Sequence, residues 1–161
     1  VGTSGFGGEI GHMKMDFHET EFCGCGKKGC LEQYASATGV ARMARRKLKE
    51  STESSVLRNT DRVTAKDVFD AAKAGDKLGA QIVEEVCSIL ALALSYIACV
   101  CDPEAFIIGG GVSKAGTILT DTVKKYYEDD VFGDLKKTKF VLATLGNDAG
   151  IYGGAKLALN E

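Results

Sequence analysis

Strong charge of either sign is missing: 20 Lys and Arg against 22 Asp and Glu leave a formal net charge of −2 over 161 residues. Such a chain has no broad field with which to gather nucleic acid or anionic lipid, so its partners must be argued from individual sites. No nucleic-acid contact is expected from this region. Proline is nearly absent, and the single Pro103 stands just after the most apolar run. The six cysteines are too few and too unevenly spread for a secreted disulfide scaffold, which points to a reducing cytoplasm. No basic, apolar, small-residue leader opens the sequence, and Val1 stands where an initiator Met is expected, so a cut start is expected. The longest charge-free stretch, VCSILALALSYIACVC, spans 16 residues, 86–101, where a membrane-crossing helix needs about 20. It reads as a helix buried inside the domain.

What remains is globular: 45% hydrophobic and 26% charged residues, in a length that suits one domain with a real core. Residues 1–8, VGTSGFGG, read as a loop, and His12 to Phe17 as a short strand. From Gly29 the pattern turns helical, with a break expected near Thr38-Gly39 and a basic end, ARRKLK at 44–49, expected to be solvated. Polar residues 50–63 read as a loop. Thr64, with Asp67 three residues on, predicts a capping box and a short helix stopped by Gly75. A long buried helix is expected over about 76–101, ended by Pro103. AFIIGGGVSKAG and KFVLATLGNDAGIYGGAKLALN then repeat a strand–turn–helix form, the first helix running from about Lys114 to Tyr127. The fold class expected is α/β, with helices packed on a sheet of only three or so strands. Cys87, Cys99 and Cys101 are expected to fill the core.

The chemistry concentrates in GEIGHMKMDFHETEFCGCGKKGC, residues 8–30. His12, Cys23, Cys25 and Cys30 make a three-thiolate, one-imidazole set of the closed structural zinc kind, with glycines that let the backbone curl around an ion. Lys27 and Lys28 stand close enough to offset the net negative charge of such a site. His18 is a rival fourth ligand, and buried thiols or a disulfide are the plain alternative. A structural metal does not explain Glu9 and Glu32, which bracket the cysteines. An imidazole bound to metal through one nitrogen keeps the other as a donor, so His12 could also meet a ligand hydroxyl, with carboxylates on either side to accept from others. Solvated glutamates are the alternative there.

GEIGHM followed by CGCGKKGCLEQYAS resembles the signature of the ROK family of sugar kinases and repressors, and most resembles its bacterial glucokinases. IIGGGVS and LGNDAGIYGGA extend the resemblance over nearly the whole chain, as the C-terminal portion of an actin-like, ribonuclease H-like ATPase fold with a zinc-binding loop at 12–30. The resemblance implies Glu9, His12 and Glu32 as sugar contacts, and His12, Cys23, Cys25 and Cys30 as ligands of a structural Zn²⁺. It implies hexose, glucose foremost, and ATP with Mg²⁺ as substrates. The family's DxGGT-type phosphate loop and its aspartate base are not found upstream of Gly8, so no catalytic residue is expected in this chain, which alone is expected to be inactive. A homo-oligomer, or a retained N-terminal lobe, is expected at the sheet edge that missing strands would leave open. The alternative is the ligand-binding half of a sugar-responsive repressor.

IIGGGVSKAG lacks the GK[ST] of a P-loop and the spacing of a dinucleotide fingerprint. Glycines after a buried strand still leave amides free at a helix N-terminus, where phosphate is favoured. The family's corresponding turn lies along the ATP cleft, so Gly109, Gly110 and Gly111, within the turn 109–113, are the expected nucleotide-side residues. Gly146–Asp148, in the turn 146–150, are a second candidate.

Overall fold

The computed structural model describes residues 2–159, apart from the side chain of Asn147; Val1, Asn160 and Glu161 lie outside it. Six helices and two strands follow one another as α1 (Glu32–Ala35), α2 (Ala37–Glu50), α3 (Ala65–Lys73), α4 (Lys77–Cys101), β1 (Ala105–Ile108), α5 (Thr117–Asp130), β2 (Lys139–Leu142) and α6 (Ala149–Ala158). α4 is the spine. Leu78, Ile82, Val86, Cys87 and Ala91 are wholly buried along it, against α3 and α5 on its flanks and α1 and α2 beyond. α4 is long and apolar enough to cross a membrane, with a mean hydropathy of 1.9 over its richest window, yet its buried face lies inside this core.

Capping explains where the helices start. Thr64 accepts from the Asp67 amide and Asp67 from the Thr64 amide, the expected capping box. Asp76 accepts from the Gly79 amide at the head of α4 and also from the Val56 amide and the Ser55 hydroxyl. The polar loop 50–63 is thus not free: a 3₁₀ turn at Val56–Asn59 buries Leu57, and Asp76 ties it to α4. α4 stops where Asp102 turns left-handed, φ 44°, before Pro103.

β1 and β2 pair in parallel, Phe106 opposite Phe140 and Ile107 opposite Val141. Phe106, Phe140 and Tyr127 of α5 form a cluster with ring centroids 5.0–5.8 Å apart. The other face of the sheet is bare, with Ile107 71% and Val141 41% exposed, although parallel sheets are normally covered on both sides. α6 buries none of its residues.

Several expectations need correcting. His12–Phe17 is no strand: Ile10–His12 is a 3₁₀ turn, and among these residues Lys14 alone forms a bridge, isolated and antiparallel, to Cys30. Among the described residues the sheet therefore has two strands rather than three. The helical segment breaks at Ser36, extended at φ −78° and ψ 164° with its hydroxyl capping the Gly39 amide, and not at Thr38-Gly39. Gly39 lies inside α2, and glycine suits it because a Cβ there would stand 2.6 Å from the carbonyl oxygen of Glu32. The helix expected from Lys114 is a 3₁₀ turn, Gly111–Ala115, with α5 beginning only after Gly116. Cys87 is core as expected, but Cys99 and Cys101 are exposed, although the adjacent Ala98 is buried in the core.

Candidate metal centre and ligand cavity

Residues 13–31 form a closed loop whose ends are stitched by backbone: the Leu31 amide donates to Met13 and the Met15 amide to Gly29. Inside it a second bridge, Phe22 to Lys28, and the Cys23 amide bonded to Lys27 fold the CGCGKKGC knuckle back on itself. Gly29 makes the crossing possible. It takes φ 76°, and a Cβ there would stand 1.8 Å from the carbonyl oxygen of Asp16.

This folding brings ligand atoms of His12, Cys23, Cys25 and Cys30 within 4.8 Å of one another. The Cys25 and Cys30 sulfurs are 3.6 Å apart, and His12 Nδ1 lies 3.9 Å from Cys23 Sγ. Donors held by a tetrahedral zinc at about 2.3 Å for sulfur and about 2.0 Å for nitrogen stand roughly 3.5–3.8 Å from each other. The spacing fits a metal ion. Without an ion the thiols hold their protons unevenly: burial first, then the neighbouring Cys25 and Cys23, push the Cys30 thiol up to about 12. Cys25, exposed and facing the Lys27 amide, is lowered instead. Three sulfurs this crowded resist ionising together until a cation shares their charge.

His12 is half-exposed, and its Nδ1 faces the sulfurs. Glu9 and His12 line one cavity of about 490 Å³, with Phe6, Cys25 and Lys27. Glu32, 3.9 Å from His12 Nδ1 and accepting from Cys23 Sγ at 3.4 Å, lines a neighbouring groove of about 270 Å³ instead. The expected pair of carboxylates thus flanks the imidazole from two sides and does not share one pocket. His18 stays out of the thiol cluster; its amide donates to Asp16. Lys28 lies over the Phe22 ring at 4.5 Å, and Lys27 borders the Glu9 cavity.

Gly109, Gly110 and Gly111 are all exposed, and a Cβ on Gly111 would stand 3.6 Å from that of Ala37 at the start of α2. Gly111 borders a cavity of about 130 Å³ between α3 and the 3₁₀ turn, lined also by Phe69, Val112, Lys66 and Lys114. The amides of this turn open a five-residue 3₁₀ helix and not α5, contrary to expectation. Gly146–Asp148 form a 3₁₀ turn leading into α6.

The sequence reading missed a second network beneath the thiol loop. Glu19, with a fully buried side chain, accepts from Arg42 and Arg46 of α2 at 2.8–3.0 Å. It also accepts from the Thr20 and Glu21 amides, and the Tyr34 hydroxyl lies 2.8 Å away. Burial would raise this carboxyl's pKa; the Glu21 amide, the two guanidiniums and the tyrosine outweigh it and hold it far below the usual carboxylate range. Arg46 is therefore not the solvated helix end expected of ARRKLK, and Lys47 pairs with Glu85 at 2.8 Å. The spacing Arg42–Arg46, one turn of α2 apart, was the available signal.

An α/β lobe that gathers three thiols and an imidazole beside a cavity holding a free carboxylate has the make-up of a ligand-binding lobe braced by a metal. The ROK family model matches residues 1–161, and the chain belongs to that family. Among similar proteins, the glucokinase of Halalkalibacterium halodurans is 42% identical over 99% of this chain. The glucokinase of Thermotoga maritima is 36% identical over 98%. A ROK family glucokinase from Streptomyces griseus, solved in complex with glucose and AMPPNP, superposes with a TM-score of 0.81 over 95% of this chain and 51% of its own, at 30% identity. The chain spans about half the length of the curated relatives it matches.

Proposed function

We propose that this chain is the sugar-binding, metal-braced half of an ATP-dependent hexose kinase of glucokinase type. The reaction would move the γ-phosphoryl group of ATP to a hexose hydroxyl, the 6-hydroxyl of glucose. One observation carries the reading: His12 turns Nδ1 to the thiols while lining a cavity with Glu9, which leaves Nε2 as the ring nitrogen available to a ligand hydroxyl. The glucose and AMPPNP bound by the Streptomyces griseus relative support hexose and nucleotide as its ligands.

In this reading Zn²⁺, held by His12, Cys23, Cys25 and Cys30, serves as a strut. Glu9 and Glu32 accept hydrogen bonds from sugar hydroxyls on either side of the imidazole. Phosphoryl transfer is mostly positioning, and misplacing the attacking oxygen by about 1 Å can cost on the order of a hundredfold. Gly111, beside its cavity, would border the nucleotide, with Gly109 and Gly110 leading into the turn; Mg²⁺ would accompany ATP. No residue of this chain is assigned as the base. The bare sheet face at Ile107 and Val141 and the exposed α6 are where a further lobe or a second copy would pack. With none of the six cysteines in a disulfide, a cytoplasmic setting suits the chain.

The test uses the full-length protein. It should phosphorylate glucose with ATP, and Glu32→Gln should lower kcat/KM for glucose roughly 10–150-fold, the loss of one charge-assisted hydrogen bond of about 1.5–3 kcal/mol. The 161-residue chain alone should show no turnover. A full-length protein that binds glucose but never phosphorylates it would favour a sugar-responsive regulator, a reading supported by the 28% identity to the xylose repressor of Caldicellulosiruptor bescii over 77% of the chain.

A further inference from the structure

We infer that Glu19 is a positioning residue for the thiol loop, anchoring it to α2 whether or not a cation is bound, so that the metal meets a site already shaped. The inference deepens the metal reading above and rests on it for its consequence, though its own geometry involves no ligand atom.

Glu19 lies four residues before Cys23 and touches none of the four proposed ligands. Its carboxylate is nevertheless the most heavily bonded group in the lobe's polar interior: Oε2 accepts from Arg42 and Arg46, and Oε1 accepts from Arg46 and from the Thr20 and Glu21 amides. The other strand of the loop is held from the same side. Gln33 of α1 accepts from the Gly29 and Cys30 amides at 2.8 and 3.1 Å, and its Nε2 donates to the Glu21 carbonyl. Arg42 closes the circuit, its Nε donating to the Gln33 carbonyl at 3.1 Å while its guanidinium holds Glu19. Tyr34, between Glu19 and Asp16, fixes the entry to the loop.

Side chains of α1 and α2 thus clamp the chain at Gly29 and Cys30 and just ahead of Cys23. The stretch between Cys23 and Lys27 is held by its own backbone, the Cys23 amide on Lys27 and the Gly26 amide on Cys23, with no side chain of α1 or α2 bonded to its backbone among the described residues. Without a cation, therefore, Cys30 and the backbone before Cys23 stay in place and only the Cys25 tip loosens. Glu19 is the anion that makes this possible. Without it, the two guanidiniums keep only the exposed Glu21 carboxylate, 3.2 Å from Arg42 and 3.5 Å from Arg46, and lose their buried counter-charge, which a neutral amide cannot replace.

Amide hydrogen exchange on the 161-residue chain, stripped of metal with a chelator, tests the anchor directly. In the wild type the Glu21, Gly29 and Cys30 amides should be protected; in Glu19→Gln they should exchange close to the open-chain rate. Competition with a chromophoric zinc chelator reads the consequence. Glu19→Gln should bind zinc about 10–100-fold more weakly, the usual effect of removing a group that orients metal ligands. Asp76→Asn, which loosens the 53–59 loop elsewhere, should leave zinc affinity unchanged and so separates positioning from general destabilisation. If Glu19→Gln fails to fold, Tyr34→Phe removes one partner of Glu19 and should shift both readings in the same direction by less. Open amides in the metal-free wild type, or wild-type zinc affinity in folded Glu19→Gln, would overturn the inference. A wild-type chain that takes up no zinc would instead defeat the metal reading, and the exchange data would still decide whether Glu19 is the anchor.

Discussion

Gly29→Ala should be the most damaging single substitution in the thiol loop, costing about 2–5 kcal/mol of stability. Two effects add. A side chain at φ 76° costs about 1–2 kcal/mol, and forced overpacking a further 1–3 kcal/mol. The second effect is unusually hard to relieve, because the added Cβ would meet backbone, the Asp16 carbonyl oxygen at 1.8 Å and its carbon at 2.8 Å. Moving Asp16 away breaks the bonds from the Met15 and Asp16 amides to Gly29, and moving Gly29 breaks its amide's bond to Gln33. Both options open the loop that gathers the thiols. Urea unfolding of the two proteins measures the difference. A midpoint shift equivalent to under about 0.5 kcal/mol, the range of ordinary surface changes, would mean the loop does not cross as described.

Cys30→Ser should weaken zinc binding by roughly a hundredfold or more. Structural zinc sites bind with about 10–16 kcal/mol, so one ligand of four carries about 3 kcal/mol, and each 1.4 kcal/mol is tenfold. Cys30 is the most buried of the set, 1% exposed, so no water can take its place as readily as at exposed Cys25. Because the Cys30 thiol is pushed up to about 12 in the metal-free loop, binding near neutral pH must release its proton, and zinc affinity should fall as the pH is lowered. Competition titration reads both effects, and Cys99→Ser, exposed and remote on α4, serves as the control. Equal zinc affinity in Cys30→Ser and wild type would remove Cys30 from the ligand set.

The grouping of His12, Cys23, Cys25 and Cys30 was legible because its information is local: four candidate ligands within 19 positions, with glycines where the chain must turn, admit few arrangements. The capping box at Thr64 and the helix ending before Pro103 were legible for the same reason. What escaped depends on distant partners. Gly39 reads as a breaker, but it is a helical residue chosen for the close approach of α1's backbone. Cys99 and Cys101 look as apolar as Cys87, and only the tertiary packing of α4 decides which is covered. Glu19 looks like any loop glutamate until α2 swings Arg42 and Arg46 over it. The separation of Glu32 from the Glu9 cavity likewise follows from how α1 meets the loop, which spacing alone does not fix.

Zinc K-edge X-ray absorption on metal-replete protein, with elemental analysis of the same sample, bears most directly on whether one ion organises His12, Cys23, Cys25 and Cys30. One zinc per chain is expected, with three sulfur neighbours at about 2.3 Å and one nitrogen at about 2.0 Å. A shell of oxygen and nitrogen alone, or no stoichiometric metal in protein purified without chelators, would contradict it.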